Sequence, residues 1–177
     1  MGIEANRTYS MKKCLILIDG PKGSGKSTLS NLLRSRLLDT EFFSLDSERG
    51  LLSRTDSIEN DNEKAFQNMA EKSKVTFVLN KSVVIDSGLS AERIAVLEKL
   101  SREYDVHVHK FSLTAPYAVL YSRVEERGKI KGKDFDKNRF NYTLQAQQSK
   151  SFDDFCVIDS DKLSPQEILE VVLKHIS

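Results

Sequence analysis

Two rhythms alternate along this chain. Short apolar runs, nearly unbroken at 13–19 and 82–86, take turns with stretches whose apolar residues recur every three or four positions. An unbroken apolar run of that length predicts a parallel strand covered on both faces. The pattern predicts strands over 13–19, 41–45, 82–86, 106–113 and 155–159. Helices are predicted over 26–38 (Leu29, Leu32, Leu33, Leu37), about 60–79 (Ala65, Phe66, Met69, Ala70), 116–127 (Val119, Leu120, Val124) and 136–148 (Phe140, Leu144). Another starts at Ser90 as its cap and turns Ile94, Leu97 and Leu100 inward. Ser164-Pro165-Gln166-Glu167 is a capping box with proline at the first helical position. It opens a closing helix that should bury Ile168, Leu169, Val172, Leu173 and Ile176. Strands and helices alternate throughout, which predicts an α/β fold with a parallel sheet and helices on both faces.

Two polar interruptions stand out. Residues 46–57, with Ser47, Arg49, Gly50, Ser53, Thr55, Asp56 and Ser57, read as a loop too polar for the core. Gly128-Lys129-Ile130-Lys131-Gly132-Lys133-Asp134 breaks a helical pattern and reads as a small lid over about 127–137. Residues 1–10 read as a flexible tail, and 11–177 as one domain.

Composition adds boundaries rather than direction. A chain of 177 residues suits one domain with a real core. Its net charge is +1, which neither demands nor excludes a nucleic-acid partner. Cys14 and Cys156 lack metal-ligand spacing and sit in apolar runs. They read as buried, reduced thiols of a cytoplasmic protein. No run approaches the ~20 apolar residues of a membrane span. His107 and His109 fall on one strand face and read as a structural or surface pair.

The candidate chemistry begins where the first strand ends. Gly20-Pro21-Lys22-Gly23-Ser24-Gly25-Lys26-Ser27-Thr28 fits G-x-x-x-x-G-K-[ST] between a predicted strand and a predicted helix. Backbone N–H groups converging on a phosphate need small residues where the chain wraps. The following helix points its positive end at the same anion. Lys26 is placed to reach the β- and γ-phosphates, and Ser27 to hold Mg²⁺ through its hydroxyl. An ATP or GTP phosphate site therefore takes in Gly20, Lys22, Gly23, Ser24, Gly25, Lys26, Ser27 and Thr28.

In parallel sheets, ligands lie beyond the carboxyl ends of the strands. That rule selects Asp46 after the second strand, where it would accept a proton from, or orient, an attacking hydroxyl. Arg49, one helical turn on, suits a bidentate contact to a phosphate or sulfate on an acceptor. Asp86 closes the third strand as a carboxylate for Mg²⁺, for water or for the acceptor. Arg123 and Arg127 share a helix face and would bring cations onto the donor phosphates, with Lys129, Lys131 and Lys133 beyond them.

This set, with Val83-Val84-Ile85-Asp86-Ser87-Gly88-Leu89-Ser90-Ala91-Glu92-Arg93 and Arg123-x-x-x-Arg127-Gly128, resembles the small P-loop kinases. Within them it is most similar to the phage-type polynucleotide 5′-hydroxyl kinase domain. The resemblance spans roughly 13–176. It implies a three-layer P-loop NTPase fold with five strands in order 2-3-1-4-5, ATP and Mg²⁺ as cofactors, and transfer of the γ-phosphoryl group to a hydroxyl. It implies Lys26 and Ser27 on phosphate and Mg²⁺, Asp46 as general base, and Arg49 on a phosphate beside the reactive hydroxyl. It also implies Asp86 on the acceptor side and Arg127 on the donor phosphates, with Arg123 as its neighbour. The Asp-x-x-Arg pair also occurs in adenylylsulfate kinases and adenylate kinases, so the acceptor is open between a nucleic-acid end and a small hydroxyl metabolite. A module that binds or hydrolyses the nucleotide without any acceptor is the rival of another class.

Overall fold

The computed structural model describes residues 12–52, 57–130, 132, 134–148, 150–151 and 153–177. Five parallel strands form one sheet: β1 (Cys14–Asp19), β2 (Thr40–Phe43), β3 (Ser82–Asp86), β4 (His107–Thr114) and β5 (Cys156–Asp159), in the order β2-β3-β1-β4-β5. Seven helices connect and follow them among the described residues: α1 (Lys26–Arg34), α2 (Leu45–Gly50), α3 (Ile58–Val78), α4 (Ala91–Glu103), α5 (Tyr117–Ile130), α6 (Lys137–Gln148) and α7 (Pro165–Ile176). This is the strand order expected of a P-loop NTPase fold.

The two-residue period of β1 divides the core. Cys14, Ile16 and Ile18 pack with Leu29 and Leu33 of α1 and with Ile168, Leu169, Val172 and Leu173 of α7. Leu15 and Leu17 face the other way, against Phe66, Met69 and Phe77 of α3 and Leu97 of α4. Every residue of β1 is buried, and Cys14 to Ile18 each find apolar partners on one face or the other. A smaller cluster of Leu120, Phe140 and Leu144 pins α6 to α5. Among the described residues, no helix is long and apolar enough to cross a membrane.

Three boundaries depart from the sequence pattern. The second strand stops at Phe43, and Leu45 and Asp46 belong to α2 instead. Ser44 decides this: its backbone is extended, and its side chain accepts from the Ser47 N–H, capping the helix. The supposed polar loop is therefore helical over 45–50. Its Glu48 is buried, with both carboxylate oxygens accepting from Lys72 Nζ of α3 at 2.9 and 2.7 Å. Gly128 does not end its helix either. α5 runs on to Ile130, supported by a Glu125–Lys129 ion pair one turn apart. α1 ends at Arg34, not near 38, yet Leu37 is still buried. Cys14 is a buried free thiol as expected, whereas Cys156 is only half-buried. The expected tail at 1–10, Ser53, Thr55, Asp56, Lys131 and Lys133 lie outside the described residues.

The Glu48–Lys72 pair ties the helix that carries Asp46 and Arg49 to the body of the protein. Glu48→Ala should lower the free energy of unfolding by about 1–3 kcal/mol, because a charge-assisted bond made at a buried carboxylate is lost. Urea denaturation checks this. A change under ~0.5 kcal/mol would mean α2 is held by its apolar contacts alone.

Candidate active site

The strand ends open on one cleft of ≈ 1160 Å³. The phosphate loop 20–28 forms its floor. Asp46 and Arg49 line it from α2, Asp86 from the end of β3, and Arg123 and Arg127 from α5. Four sequence segments far apart in the chain thus meet around a single space.

The loop geometry explains its glycines. Gly20 sits at φ 143°, and a Cβ there would lie 2.4 Å from the Leu113 carbonyl oxygen of β4. Gly25 takes φ 99° at the N-cap of α1 and offers no side chain to its amides. The first-turn N–H groups of α1 are thereby left for an anion. Lys26 Nζ donates to the carbonyl oxygens of Gly20 (2.6 Å) and Pro21 (3.0 Å), so the ammonium lies across the mouth of the loop. Burial pulls its pKa down to about 8. Asp19 and Asp86 oppose that shift, while Lys150 and Arg127 add to it.

Asp86 is hydrogen-bonded to Ser30 and Ser27, and Lys26 is in electrostatic reach of it. Burial raises its pKa above the ordinary aspartate value, the Lys26 charge and the two hydroxyls oppose the rise, and Asp46 adds to it. A carboxylate beside serine hydroxyls is a hard oxygen donor set. This donor set suits Mg²⁺, which Ser27 and Asp86 would hold; no cluster of three or more His, Cys, Asp or Glu suited to a metal occurs among the described residues.

On the other wall, Asp46 is exposed and its Oδ1 accepts from Arg49 at 2.5 Å. The second arm of Arg49 donates to Asn62 Oδ1 of α3 at 2.8 Å. Lys22 is held below the ordinary lysine value by partial burial first, then by Arg139, with Arg127 and Arg49 also pushing it down and Asp46 pulling it up. Lys22 thus lies in electrostatic range of Arg49, Arg127, Arg139 and the Asp46 carboxylate. Arg127 stands in electrostatic range of both loop lysines.

Arg123 is placed differently from its neighbour. Its guanidinium donates to the Gly23 carbonyl (3.4 Å), the Ser160 hydroxyl (3.2 Å) and the Ser160 carbonyl (3.0 Å). It clamps the phosphate loop to the turn after β5. Lys129 lies off the cleft, paired with Glu125.

Sequence reasoning missed Asp19. It is buried at the end of β1 and accepts from the Gly20 N–H (2.5 Å), Gln147 Nε2 (2.7 Å) and Lys150 Nζ (2.9 Å). One carboxylate thus joins the start of the phosphate loop to the end of α6. The signal was an acidic residue closing an otherwise apolar run directly before the first loop glycine. His107 and His109 do form a pair, joined by His175 of α7, with ring centroids 4.5 and 5.7 Å apart. Burial, then the charges of His107 and His175, takes His109 down to about 4. Cys14 aligns with His107 and Asp19 with Ser112, so the trio lies at the strand ends opposite the cleft.

The model of the AAA domain family (AAA_18) matches residues 16–143, well over half of the chain. The chain belongs to that family. No curated protein matches it. Among solved structures, a sugar kinase from Janibacter sp. is 17% identical with a TM-score of 0.63, covering 93% of this chain and 96% of the other. A tunicamycin resistance protein from Deinococcus radiodurans is 19% identical with a TM-score of 0.66, again over 93% and 96%. The APS kinase of Mycobacterium tuberculosis, solved with AMPPNP and APS, is 15% identical with a TM-score of 0.63, over 93% and 98%. At these identities the likeness is one of fold. This AAA-domain chain shares that fold over nearly its whole length.

Proposed function

We propose that this chain is an ATP-dependent kinase that transfers the γ-phosphoryl group to an acceptor hydroxyl, with the 5′-hydroxyl of a polynucleotide or nucleotide as the favoured acceptor. The observation that carries the reading is the convergence of an anion cradle, the Asp46–Arg49 pair, Asp86 and Arg127 on one cleft. The sequence resemblance to phage-type polynucleotide kinases supports the choice of acceptor.

The phosphate loop amides and Lys26 bind the β- and γ-phosphates, and Lys26 exchanges its two loop carbonyls for phosphate oxygens. Mg²⁺, held by Ser27 and Asp86, supplies positive charge to the phosphate oxygens when bound. Arg49 holds an anionic group of the acceptor and so presents the hydroxyl to Asp46. Asp46 takes the hydroxyl proton as the acceptor oxygen bonds to the γ-phosphorus. The bond from that phosphorus to the β–γ bridging oxygen breaks, and its electron pair leaves with ADP. Arg127 meets the negative charge shifting towards the leaving phosphate.

A second reading, transfer to a small anionic metabolite such as adenylylsulfate, is favoured by the fold neighbour solved with APS. One experiment separates the readings: transfer of labelled γ-phosphate to 5′-hydroxyl oligonucleotides, nucleoside 3′-monophosphates, adenylylsulfate and sugars. Label on the oligonucleotides or nucleotides supports the first reading. Label only on another acceptor selects the second, and ATP hydrolysis indifferent to every acceptor overturns both.

Arg49→Ala tests the acceptor wall. It should raise KM for the acceptor by roughly 10- to 100-fold, the scale of a lost charge-assisted contact, with KM for ATP shifting less than threefold. Initial rates with each substrate varied in turn decide it. A change confined to ATP would move Arg49 to the donor side.

A further inference from the structure

α6 has two working faces. Phe140 and Leu144, one turn apart, are buried against Leu120 of α5 with half-buried Tyr121 and Val124 around them. Tyr142, Thr143, Ala146 and Gln147 line the cleft, followed by Lys150 just past the helix end. The steps 142–146–150 and 143–147 are each four residues, so a helical stripe faces the reaction space.

The two ends of this stripe fix which part of the cleft it covers. At its far end, Gln147 and Lys150 are bonded to Asp19. A Cβ added at Gly88, two residues beyond Asp86, would lie 3.7 Å from Gln147 Oε1 and 3.9 Å from Lys150 Nζ. Near its start, the charge of Arg139 acts on Lys22, the same lysine that Asp46 and Arg49 of α2 act on. The end of α6 therefore lies against the chain leaving β3, and the charge near its start reaches the lysine that Asp46 and Arg49 also reach.

Tyr142 stands in the middle of this stripe, three residues on from Arg139 and so on the same side of the helix. It is 74% exposed, and its ring has no aromatic or cation partner among the described residues, although Tyr117, Tyr121, Phe135 and Phe140 of the same region pack on one another in tilted and edge-to-face pairs centred on Tyr121 and Phe140. Ala146, one turn further, keeps the neighbouring surface low. A flat ring left uncovered inside a cleft ringed by Arg49, Arg127 and Lys22 suits a ligand that is both anionic and aromatic.

We infer that Tyr142, on the face of α6 that lines the same cleft as the Asp46–Arg49 pair, is a stacking platform for a nucleobase of the acceptor. The inference rests on the kinase reading above and narrows the acceptor to a nucleotide or a polynucleotide end, as against a sugar phosphate. Arg49 takes the phosphate, Asp46 the hydroxyl and Tyr142 the base.

The test compares the full chain with its Tyr142→Ala and Tyr142→Phe variants in γ-phosphoryl transfer. The acceptors are a nucleoside 3′-monophosphate, a 5′-hydroxyl oligonucleotide, and the same oligonucleotide with an abasic first residue. Tyr142→Ala should raise KM for the base-bearing acceptors by roughly 5- to 100-fold, the range measured for one base–aromatic stack. Tyr142→Phe should keep it, and KM for ATP and for the abasic oligonucleotide should stay put. The first two acceptors separate a free nucleotide from a strand end as the natural source of the base. The chain has no tryptophan, so Tyr142→Trp adds a single reporter. Its fluorescence should be quenched by the nucleoside 3′-monophosphate and not by ribose phosphate. If the wild type transfers phosphate but Tyr142→Ala leaves the base-bearing KM unchanged, or shifts only that of ATP, the platform is overturned and the kinase reading stands. If no base-bearing acceptor is labelled, or the tryptophan ignores the nucleotide, the platform is likewise overturned, and the wild-type transfer assay alone judges the kinase reading.

Discussion

Lys26→Ala should reduce phosphoryl transfer by roughly 10³-fold or more, equivalent to about 4 kcal/mol of transition-state stabilisation. The side chain is the one ammonium that the loop itself directs across its mouth, 2.6 Å from the Gly20 carbonyl and 3.0 Å from that of Pro21. Its neighbours are otherwise engaged: Arg127 approaches from α5, Arg123 is held by Ser160 and Lys150 by Asp19. The fold should not suffer. Folded, Lys26 titrates at about 8, against 10.5 for an ordinary lysine. Between those values the unfolded chain binds more protons, so this residue makes stability rise with pH across that window, and its burial carries its full cost below it. Removing it at pH 7 takes away a cost, and the melting temperature should stay level or rise by a few degrees. Collapse of the melting transition would instead make Lys26 a structural residue. The same value predicts the alkaline limb of catalysis: kcat/KM for ATP should fall above about pH 8, as neutral Lys26 stops attracting phosphate. Lys26→Arg should remove that limb whatever activity it retains.

The second large effect is expected at Asp46. Asp46→Asn keeps the shape and removes the proton acceptor, and should slow the chemical step by ~10²–10⁴-fold, about 3–5 kcal/mol. Single-turnover mixing of preformed enzyme–ATP complex with acceptor isolates that step from product release. Asp46 is exposed and capped into α2 by Ser44, so the substitution should leave melting unchanged. The loss should appear in kcat more than in acceptor KM, the reverse of Arg49→Ala. A single-turnover rate within a few-fold of wild type would show that Asp46 orients without accepting a proton.

Both predictions fall on residues that local pattern alone brought forward. An apolar run, a glycine-rich turn and a helical repeat sit side by side at 13–38, and the physics connecting them is local. Backbone wrapped around an anion excludes Cβ atoms, and the next helix supplies its amides. The same holds for Ser82–Asp86 as a strand and for the capping box at Ser164, whose reciprocal bonds to Glu167 are present as drawn. Errors arose where two local signals competed. Phe42-Phe43-Ser44-Leu45 reads as one apolar run, but the Ser44 hydroxyl captures the Ser47 amide and turns the chain into α2. Gly128 reads as a helix end, but a helical glycine costs only about 1 kcal/mol, and α5 runs through it to Ile130.

Periodicity, turn chemistry and spacing were enough for the alternating α/β architecture, the phosphate loop and the residues at the strand ends, because each depends on neighbours within a few positions. Only folding revealed that Arg123 clamps the loop through Gly23 and Ser160, 100 and 37 residues away, and that Asp19 holds Lys150 at a separation of 131. Only folding likewise turned Glu48 inward onto Lys72 and placed the exposed ring of Tyr142 in the lining of the cleft. These are pairings between distant parts of the chain. No local rule encodes them, since the partner of a buried charge is chosen by which elements the packed core brings within reach.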